Sequence, residues 1–271
     1  MITTLIIGKE SNLSKQLDSK ITKTILISAR AIQEDCELLS KYKNQKINII
    51  FNNFQSSTQL NNLNNSSEYI SNAIVTTSLV LDYFKESDIN KIIYTSSSSV
   101  YGNNILCSEE DEVKPLNLHS SLKAANEKLI EKFCTQKEID FTITRIFNMY
   151  GADDKFSVIS KILSAVKNSE EITIVNGGNA IRDFIHIDDV VEIYTQLLDR
   201  KVKVLNVGTG NGVSIKSLLD FLYYRGVDLK VKNIQRNEVK VSTADIKLLK
   251  DKVGKESFNK LEDYLSTELN I

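Results

Sequence analysis

Short runs rich in Ile, Val, Thr and aromatic residues recur along the first half of the chain, at Thr3–Ile7, Lys23–Ser28, Lys46–Phe51, Lys91–Thr95 and Asp140–Arg145. Their length and β-branched content predict strands, and helix-length stretches separate most of them. That alternation predicts a parallel sheet covered by helices. A helix from about Glu68 to Lys85 is predicted by apolar Ile70, Ile74, Leu81 and Phe84 behind a Ser66/Ser67 cap. Another, after His119, carries Ala125, Leu129, Ile130 and Phe133 on one face. Only about 16 residues separate Arg30 from Lys46, so a strand-and-helix pair is expected to be shortened there. Residues 61–67 are mostly small and polar and predict a surface loop. Beyond Gly151 the units become smaller, which predicts a second lobe built from Phe156–Val175 and from residues after Gly208.

Bulk composition narrows the function classes. The chain has 271 residues, 41% of them hydrophobic, enough for one large domain or two small ones with a real core. Lys and Arg number 34 against 35 Asp and Glu, a net charge of −1, so neither nucleic acid nor an anionic membrane is an expected partner. Cys36, Cys107 and Cys134 are odd in number and widely spaced, which suggests neither a disulfide framework nor a zinc site. No metal is expected, and a reducing cytoplasm fits best. The apolar N-terminal run is too short for a signal peptide, and no segment approaches the ~20 apolar residues of a membrane span.

Three segments carry candidate chemistry. Gly8-Lys9-Glu10-Ser11-Asn12-Leu13-Ser14 follows the first strand and opens a helix, where a G-x-x-G-x-x-G turn would wrap a dinucleotide pyrophosphate. Only Gly8 is kept, with small Ser11 and Ser14 at the other two places; taken by itself, the segment reads better as a plain strand-turn-helix with a glycine in the turn. Arg30 stands near the end of the second strand, where a carboxylate would select NAD and an arginine can pair with the 2′-phosphate of NADP. A solvated arginine at a strand end is the alternative. Tyr94-Thr95-Ser96-Ser97-Ser98-Ser99-Val100-Tyr101-Gly102 closes a strand with a hydroxyl-rich loop.

Taken with Pro115, His119, Lys123 and Glu127, that loop resembles the short-chain dehydrogenase/reductase superfamily, in its extended, nucleotide-sugar-modifying branch. Further blocks extend the resemblance in order over essentially the whole chain. They are Arg145-Ile146-Phe147-Asn148-Met149-Tyr150-Gly151, Gly177 through Val190 with Arg182-Asp183 and His186, Asn206-Val207-Gly208-Thr209-Gly210, and Arg236-Asn237-Glu238 followed by Ala244-Asp245. The resemblance implies that Ser97 is the catalytic hydroxyl, that Lys123 holds the cofactor ribose, and that His119 takes the place of the usual tyrosine. It implies cofactor contacts from Gly8, Ser11, Asn12, Leu13, Arg30, Asn72, Lys123 and Phe147. Substrate contacts are implied for Ser98, Asn148, Arg182 and Arg236, the arginines facing a diphosphate. Asp183 could instead hold Arg182, Asp188/Asp189 suit a helix cap, and His186 reads as a packed histidine. Tyr101 reads as loop packing rather than a substitute acid. Sugar dehydratases of this branch place an Asp-Glu pair after the serine position; here Ser98 and Ser99 follow, which argues against elimination of water. A neutral imidazole is a weaker acid than a phenol, and Lys123 disfavours the imidazolium, so His119 is expected to act as a neutral donor.

The expected fold is α/β, a Rossmann-like parallel sheet flanked by helices with a small C-terminal substrate-binding lobe. Residues 1–150 and about 181–207 would form the dinucleotide-binding domain, and about 151–180 with 208–271 the nucleotide-sugar lobe. The leading functional expectation is an NADP(H)-dependent reductase of a nucleotide-linked 4-keto-6-deoxy sugar in surface polysaccharide synthesis, with NADP(H) favoured over NAD(H). The alternatives are an NAD(P)-dependent nucleotide-sugar epimerase and a non-catalytic relative that binds nucleotide-sugar or cofactor. A homodimer through the helices around 68–85 and 119–132 is expected.

Overall fold

The computed structural model describes residues 2–53 and 66–271, so most of the loop predicted at 61–67 lies outside the described residues. In chain order the elements are β1 (Thr3–Ile7), α1 (Asn12–Lys20), β2 (Thr24–Ile27), α2 (Ala29–Glu34), β3 (Ile47–Phe51), α3 (Ser66–Ile70), α4 (Thr76–Tyr83), β4 (Ile89–Ser97), β5 (Leu106–Cys107), α5 (Leu118–Lys137), β6 (Asp140–Ile146) and β7 (Asn148–Tyr150). There follow α6 (Val158–Asn168), β8 (Ile172–Val175), β9 (Ile181–His186), α7 (Ile187–Leu197), β10 (Val204–Val207), β11 (Gly212–Ser214), α8 (Ile215–Tyr224), β12 (Val231–Ile234), β13 (Val241–Ala244), α9 (Lys247–Val253) and α10 (Leu261–Leu269). The chain divides into two compact units, one of residues 1–100, 115–145 and 191–205, the other of 101–114, 146–190 and 206–271.

The first unit is organised by a six-stranded sheet of order β10-β6-β4-β3-β1-β2. β1 runs parallel to both β2 and β3, with Ile7 opposite Ile27 on one side and Phe51 on the other. Every residue of β1 and β3 is buried, as continuous apolar runs covered on both faces require. Leu5, Ile7, Ile49, Phe51 and Ile92 pack with Val80, Leu81 and Phe84 of the α4 region and Ile130 of α5. Each such side chain contributes roughly 1.5–3 kcal/mol on burial. The connection from β2 to β3 holds α2 and a 3-10 turn, Cys36–Tyr42, but no strand, so β2 is the sheet edge.

Two helix expectations change. The helix predicted over 68–85 is one helical run interrupted by a π-helical turn, Ser71–Val75, and Ser66 and Ser67 lie inside its first turn. On α5, Ala125 is exposed and Leu129 and Phe133 are half-buried; the buried face is Ser120, Lys123, Asn126, Glu127, Ile130 and Cys134. Polar residues turn inwards there because each finds a partner, and this costs less than exposing the backbone and hydroxyl groups they satisfy.

The second unit holds a five-stranded sheet, β11-β9-β13-β5 with β7 also on β9, and a two-stranded pair, β12-β8. Tyr150, Ile159, Leu163, Phe184, Leu218, Leu261 and Leu265 form one of its cores. Asp183 is fully buried and accepts from Thr209 N (2.9 Å) and Oγ1 (2.7 Å), Gly210 N (2.9 Å) and Ala244 N (3.1 Å). It ties β9 to the 208–210 loop and to β13, and so has no role in holding Arg182. Asp188 and Asp189 lie within the first turn of α7, where carboxylates favour the helix dipole. Asp189 also pairs with Lys255 (2.9 Å) and accepts from Asn259 N (2.9 Å).

Candidate active site

In the first unit, the turn after β1 has the shape the glycine position demands. Gly8 adopts φ +113°, and a Cβ there would lie 2.1 Å from Asn52 O, so no side chain is accommodated. Ser11 is the N-cap of α1, makes no side-chain cap bond, and no acidic residue occupies the first turn. The N–H groups of that helix end are therefore oriented for an anion. The two serines that replace glycine are not idle: Asn52 Nδ2 donates to Ser11 Oγ (2.8 Å) and to buried Ser14 Oγ (3.0 Å). Asn12 begins α1, and Leu13 is buried in it, so Leu13 packs the core and could offer a ligand little beyond main chain. At the same strand end Asn53 Oδ1 is a buried acceptor without a hydrogen-bond partner among the described residues. This turn fits a dinucleotide pyrophosphate.

Arg30 lies in the first turn of α2, exposed, with Nη2 2.6 Å from Glu68 Oε1. Asn72 is buried in the π-helical turn, accepting from Gln33 Nε2 (2.9 Å) at its side chain and from Asn53 Nδ2 (2.7 Å) at its carbonyl. A π-turn releases carbonyls from the helical ladder, and such turns often mark functional positions. Here Asn53 and Asn126 Nδ2 both bond Ala73 O, at 3.1 and 2.9 Å.

The end of β4 packs on the polar face of α5. Lys123 is 5% exposed, donates to Thr95 O at 2.5 Å, and lies 5.5 Å from the centre of the Tyr94 ring. Burial lowers its ammonium to about 7, against the upward pull of Glu127. Glu127 accepts from Ser96 Oγ and pairs with Arg145, whose Nη2 is 2.8 Å away, so its charge is already matched. Ser97 Oγ accepts from Ser99 N (3.2 Å), and Ser98 opens the 3-10 turn Ser98–Tyr101. Ser99 Oγ is buried without a hydrogen-bond partner among the described residues.

His119 sits one turn before Lys123, inside the first turn of α5, which is capped by Asn117 in a reciprocal box with Ser120. Its Nδ1 bonds the hydroxyl of Tyr69, with the ring centres 6.2 Å apart at 62°. Burial first, and then Lys123, lower the imidazole from 6.5 to about 4, so His119 is neutral at physiological pH. Burial of the Tyr69 phenol pushes it well above its ordinary value. Tyr69 was not visible as a site residue in sequence, since a tyrosine on a predicted helix reads as core.

In the second unit Arg182, alone among the implied substrate residues, pairs with Glu238 among the described residues. Arg182 Nη2 lies 3.3 Å from Glu238 Oε2, and Asn176 Nδ2 donates to Glu238 Oε1 (2.9 Å) and Arg236 O (2.6 Å). Arg236 is exposed, and its main chain is held by Asn176 Oδ1 (3.1 Å). Asn148 Nδ2 donates to Asp183 O (3.0 Å). Phe147 is buried, with its N–H on Val207 O (2.9 Å), and acts as core. Tyr101 is fully buried with its hydroxyl on Asn206 Oδ1 (2.7 Å), the packing role expected. His186 packs on Tyr150 and Tyr264 and accepts from Asp188 N (3.2 Å). A cavity of about 350 Å³ in this unit, lined by Thr209, Asp245, Lys247, Lys250, Glu256 and Phe258 among others, contains none of the catalytic, cofactor-binding or substrate-binding residues inferred from sequence. Among the described residues no cluster of His, Cys, Asp and Glu could hold a metal.

Known proteins share parts of this sequence and the fold. ADP-L-glycero-D-manno-heptose-6-epimerase of Brachyspira hyodysenteriae is 34% identical over 136 residues, covering 46% of this chain and 43% of that protein. The chain spans about half the length of the relatives it matches. UDP-N-acetylglucosamine 4-epimerase from Methanobrevibacter ruminantium, in complex with UDP-N-acetylmuramic acid, superposes with TM-score 0.86 at 22% identity, over 99% of this chain and 97% of that one. UDP-glucuronic acid 4-epimerase from Bacillus cereus, in complex with UDP-glucuronic acid and NAD, gives TM-score 0.86 at 20% identity, over 99% and 98%. These structures establish a shared Rossmann-like fold. Residues 11–208, from the helix of the Gly8 turn through the serine-rich end of β4, α5 and Arg182, match one family model, and the chain belongs to the NAD dependent epimerase/dehydratase family.

Proposed function

We propose that the protein is a nucleotide-sugar epimerase that works by reversible oxidation of a sugar carbinol with bound NAD. The observation that carries this reading is the clasp of β4 and α5, which holds Lys123 on Thr95 O, two residues from Ser97 and one turn from neutral His119. The solved relatives named above are epimerases, one of them with NAD bound, and this supports epimerisation over net reduction. When bound, the nicotinamide supplies a hydride acceptor and donor for the sugar carbon. The Gly8 turn and the N–H groups of α1 would hold the pyrophosphate, and Lys123 the ribose. Ser97 Oγ would hydrogen-bond the reacting sugar oxygen and pass the carbinol proton to solvent water as the hydride leaves, returning it when the ketone is reduced, and neutral His119 would steady the developing charge by hydrogen bonding, a role a neutral imidazole fills in triosephosphate isomerase. Arg182 and Arg236 would take the diphosphate, with Arg182 exchanging Glu238 for phosphate oxygens. Elimination of water is not supported, because Ser98 and Ser99 follow Ser97 and Glu127 is committed to Arg145 and Ser96.

A second reading, an NADP(H)-dependent reductase of a 4-keto-6-deoxy sugar, is favoured by Arg30: its pair with Glu68 is exposed, and a 2′-phosphate could displace so weak a contact. Both readings place the protein in cytoplasmic nucleotide-sugar metabolism supplying surface polysaccharide. Both also suit a homodimer through α3–α4 and α5, where Ile70, Val75 and Leu118 are exposed. No helix among the described residues is long and apolar enough to cross a membrane. The test is to purify the full chain, release and identify bound nucleotide, and incubate the protein with UDP-hexoses, UDP-N-acetylhexosamines and UDP-hexuronic acids. A new epimer without net cofactor turnover is expected. Stoichiometric consumption of NADPH with a 4-keto-6-deoxy nucleotide-sugar would replace the epimerase by the reductase, and binding without turnover would overturn both.

A further inference from the structure

Ser11 is the N-cap residue of α1, yet its hydroxyl does not cap the helix. Serine is among the best N-caps because its oxygen accepts from the second or third N–H of the helix. The main chain at Ser11, with φ −66° and ψ 138°, permits that bond. Ser28 caps α2 from nearly the same conformation, φ −73° and ψ 131°, and accepts from Ala31 N (3.4 Å). Ser157 caps α6 from φ −66° and ψ 161°, and accepts from Ser160 N (3.1 Å). What differs at Ser11 is the partner of its side chain. Asn52, 9% exposed and directly after β3, donates from Nδ2 to Ser11 Oγ (2.8 Å) and to Ser14 Oγ (3.0 Å). The main chain of Asn52 is fixed in turn. Its N–H bonds Ile7 O (2.8 Å), and its carbonyl backs onto Gly8 so closely that a Cβ there would lie 2.1 Å away.

An N-cap serine that bonded its own helix would occupy N–H groups that an anion needs. Serine in place of glycine at position 11 should therefore weaken a dinucleotide site unless the hydroxyl is held elsewhere. We propose that Asn52 is a positioning residue that holds Ser11 Oγ away from α1 and so keeps the first N–H groups of that helix open to the pyrophosphate of a dinucleotide. Ser14 is the second anchor of the same amide: it is fully buried, and Asn52 satisfies its oxygen. One asparagine and two serines thus act as a unit where a glycine-rich turn would have no side chains to place. This role rests on the dinucleotide reading of the Gly8 turn.

Full-length protein freed of bound nucleotide is titrated with NADH and with NADPH by fluorescence. Asn52→Ala releases Ser11 to cap α1, and a ligand must then break that cap to bind. Affinity for both dinucleotides should fall by about fivefold, the worth of one helix cap, with their ratio unchanged. In the Ser11→Gly background no hydroxyl is released, so the same Asn52→Ala change should cost less than about twofold. A residue that merely supports the turn would cost the same in both backgrounds. Asn52→Leu, which keeps the side-chain volume and removes the amide, should behave as Asn52→Ala does and serves if the alanine variant does not fold. Equal losses in the two backgrounds, or no loss in a folded Asn52 variant that still binds, overturn the role of Asn52 and leave the dinucleotide reading standing. A gain of about fivefold or more from Ser11→Gly alone would mean that Ser11 already caps α1 in the wild type, and overturns it without any Asn52 variant. Wild-type protein that binds neither NADH nor NADPH sinks the dinucleotide reading, and this role with it.

Discussion

Replacing Lys123 by methionine isolates what it costs to bury an ammonium beside the serine loop. Lys123 is 5% exposed, and burial lowers it from 10.5 to about 7. In the unfolded chain a lysine titrates at about 10.4. Between those values the unfolded chain binds a proton that the folded chain has shed, so stability rises with pH across the window, by about 1.4 kcal/mol per pH unit. Below about pH 7 both states are protonated and the full penalty is present; above about pH 10.4 neither is, and the penalty has gone. Lys123→Met lacks this term and should carry only a pH-independent loss for the Thr95 carbonyl it leaves without its donor, about 1–3 kcal/mol. Other groups that titrate in the window are common to both proteins and cancel in the difference. Urea unfolding of the two proteins at about pH 7, 8 and 9.5 should therefore show the wild type gaining about 3 kcal/mol on the variant from the first to the last. A wild-type-minus-variant difference that stays flat, or narrows as pH rises, would mean that Lys123 is fully protonated in the fold and that Glu127 outweighs its desolvation.

Two further perturbations test other parts of the structure. Asp183→Asn leaves one acceptor oxygen where two each serve two donors, so two buried donors lose their partner; a loss of about 2–6 kcal/mol is expected in urea unfolding, and a loss under about 1 kcal/mol removes Asp183 as the hub of the second unit. Glu68→Gln removes the carboxylate 2.6 Å from Arg30 and should raise the affinity for NADPH relative to NADH by up to about fivefold in fluorescence titration, whereas an unchanged ratio would take Arg30 away from the 2′-phosphate position.

Strands were the most legible feature of the chain, because a sheet covered on both faces writes itself as uninterrupted apolar runs, and β1 and β3 are such runs. Gly8 was legible for a similar reason, as a position where only glycine fits. Ser97, His119 and Lys123 could be located through the family resemblance, and they fall on one strand end and one helix. Partnership was not legible. The polar face of α5 runs inwards because Thr95 O, Ser96, Ala73 O and Arg145 await it, and each of those groups comes from another element. The π-helical turn is a single-residue change of helical pitch that no hydrophobic periodicity records. Tyr69 meets His119 across 50 residues, and Arg182 meets Glu238 across 56. A sequence pattern states which face of an element is covered, but the identity of the covering group depends on how separate elements pack. The amino-acid sequence by itself therefore determined the α/β sheet and the candidate chemistry of the serine loop and of His119 and Lys123. Tertiary structure alone decided that the imidazole is buried and bonded to a tyrosine, and that Arg30 and Arg182 are each matched to a glutamate, because burial and charge pairing are properties of the packed fold.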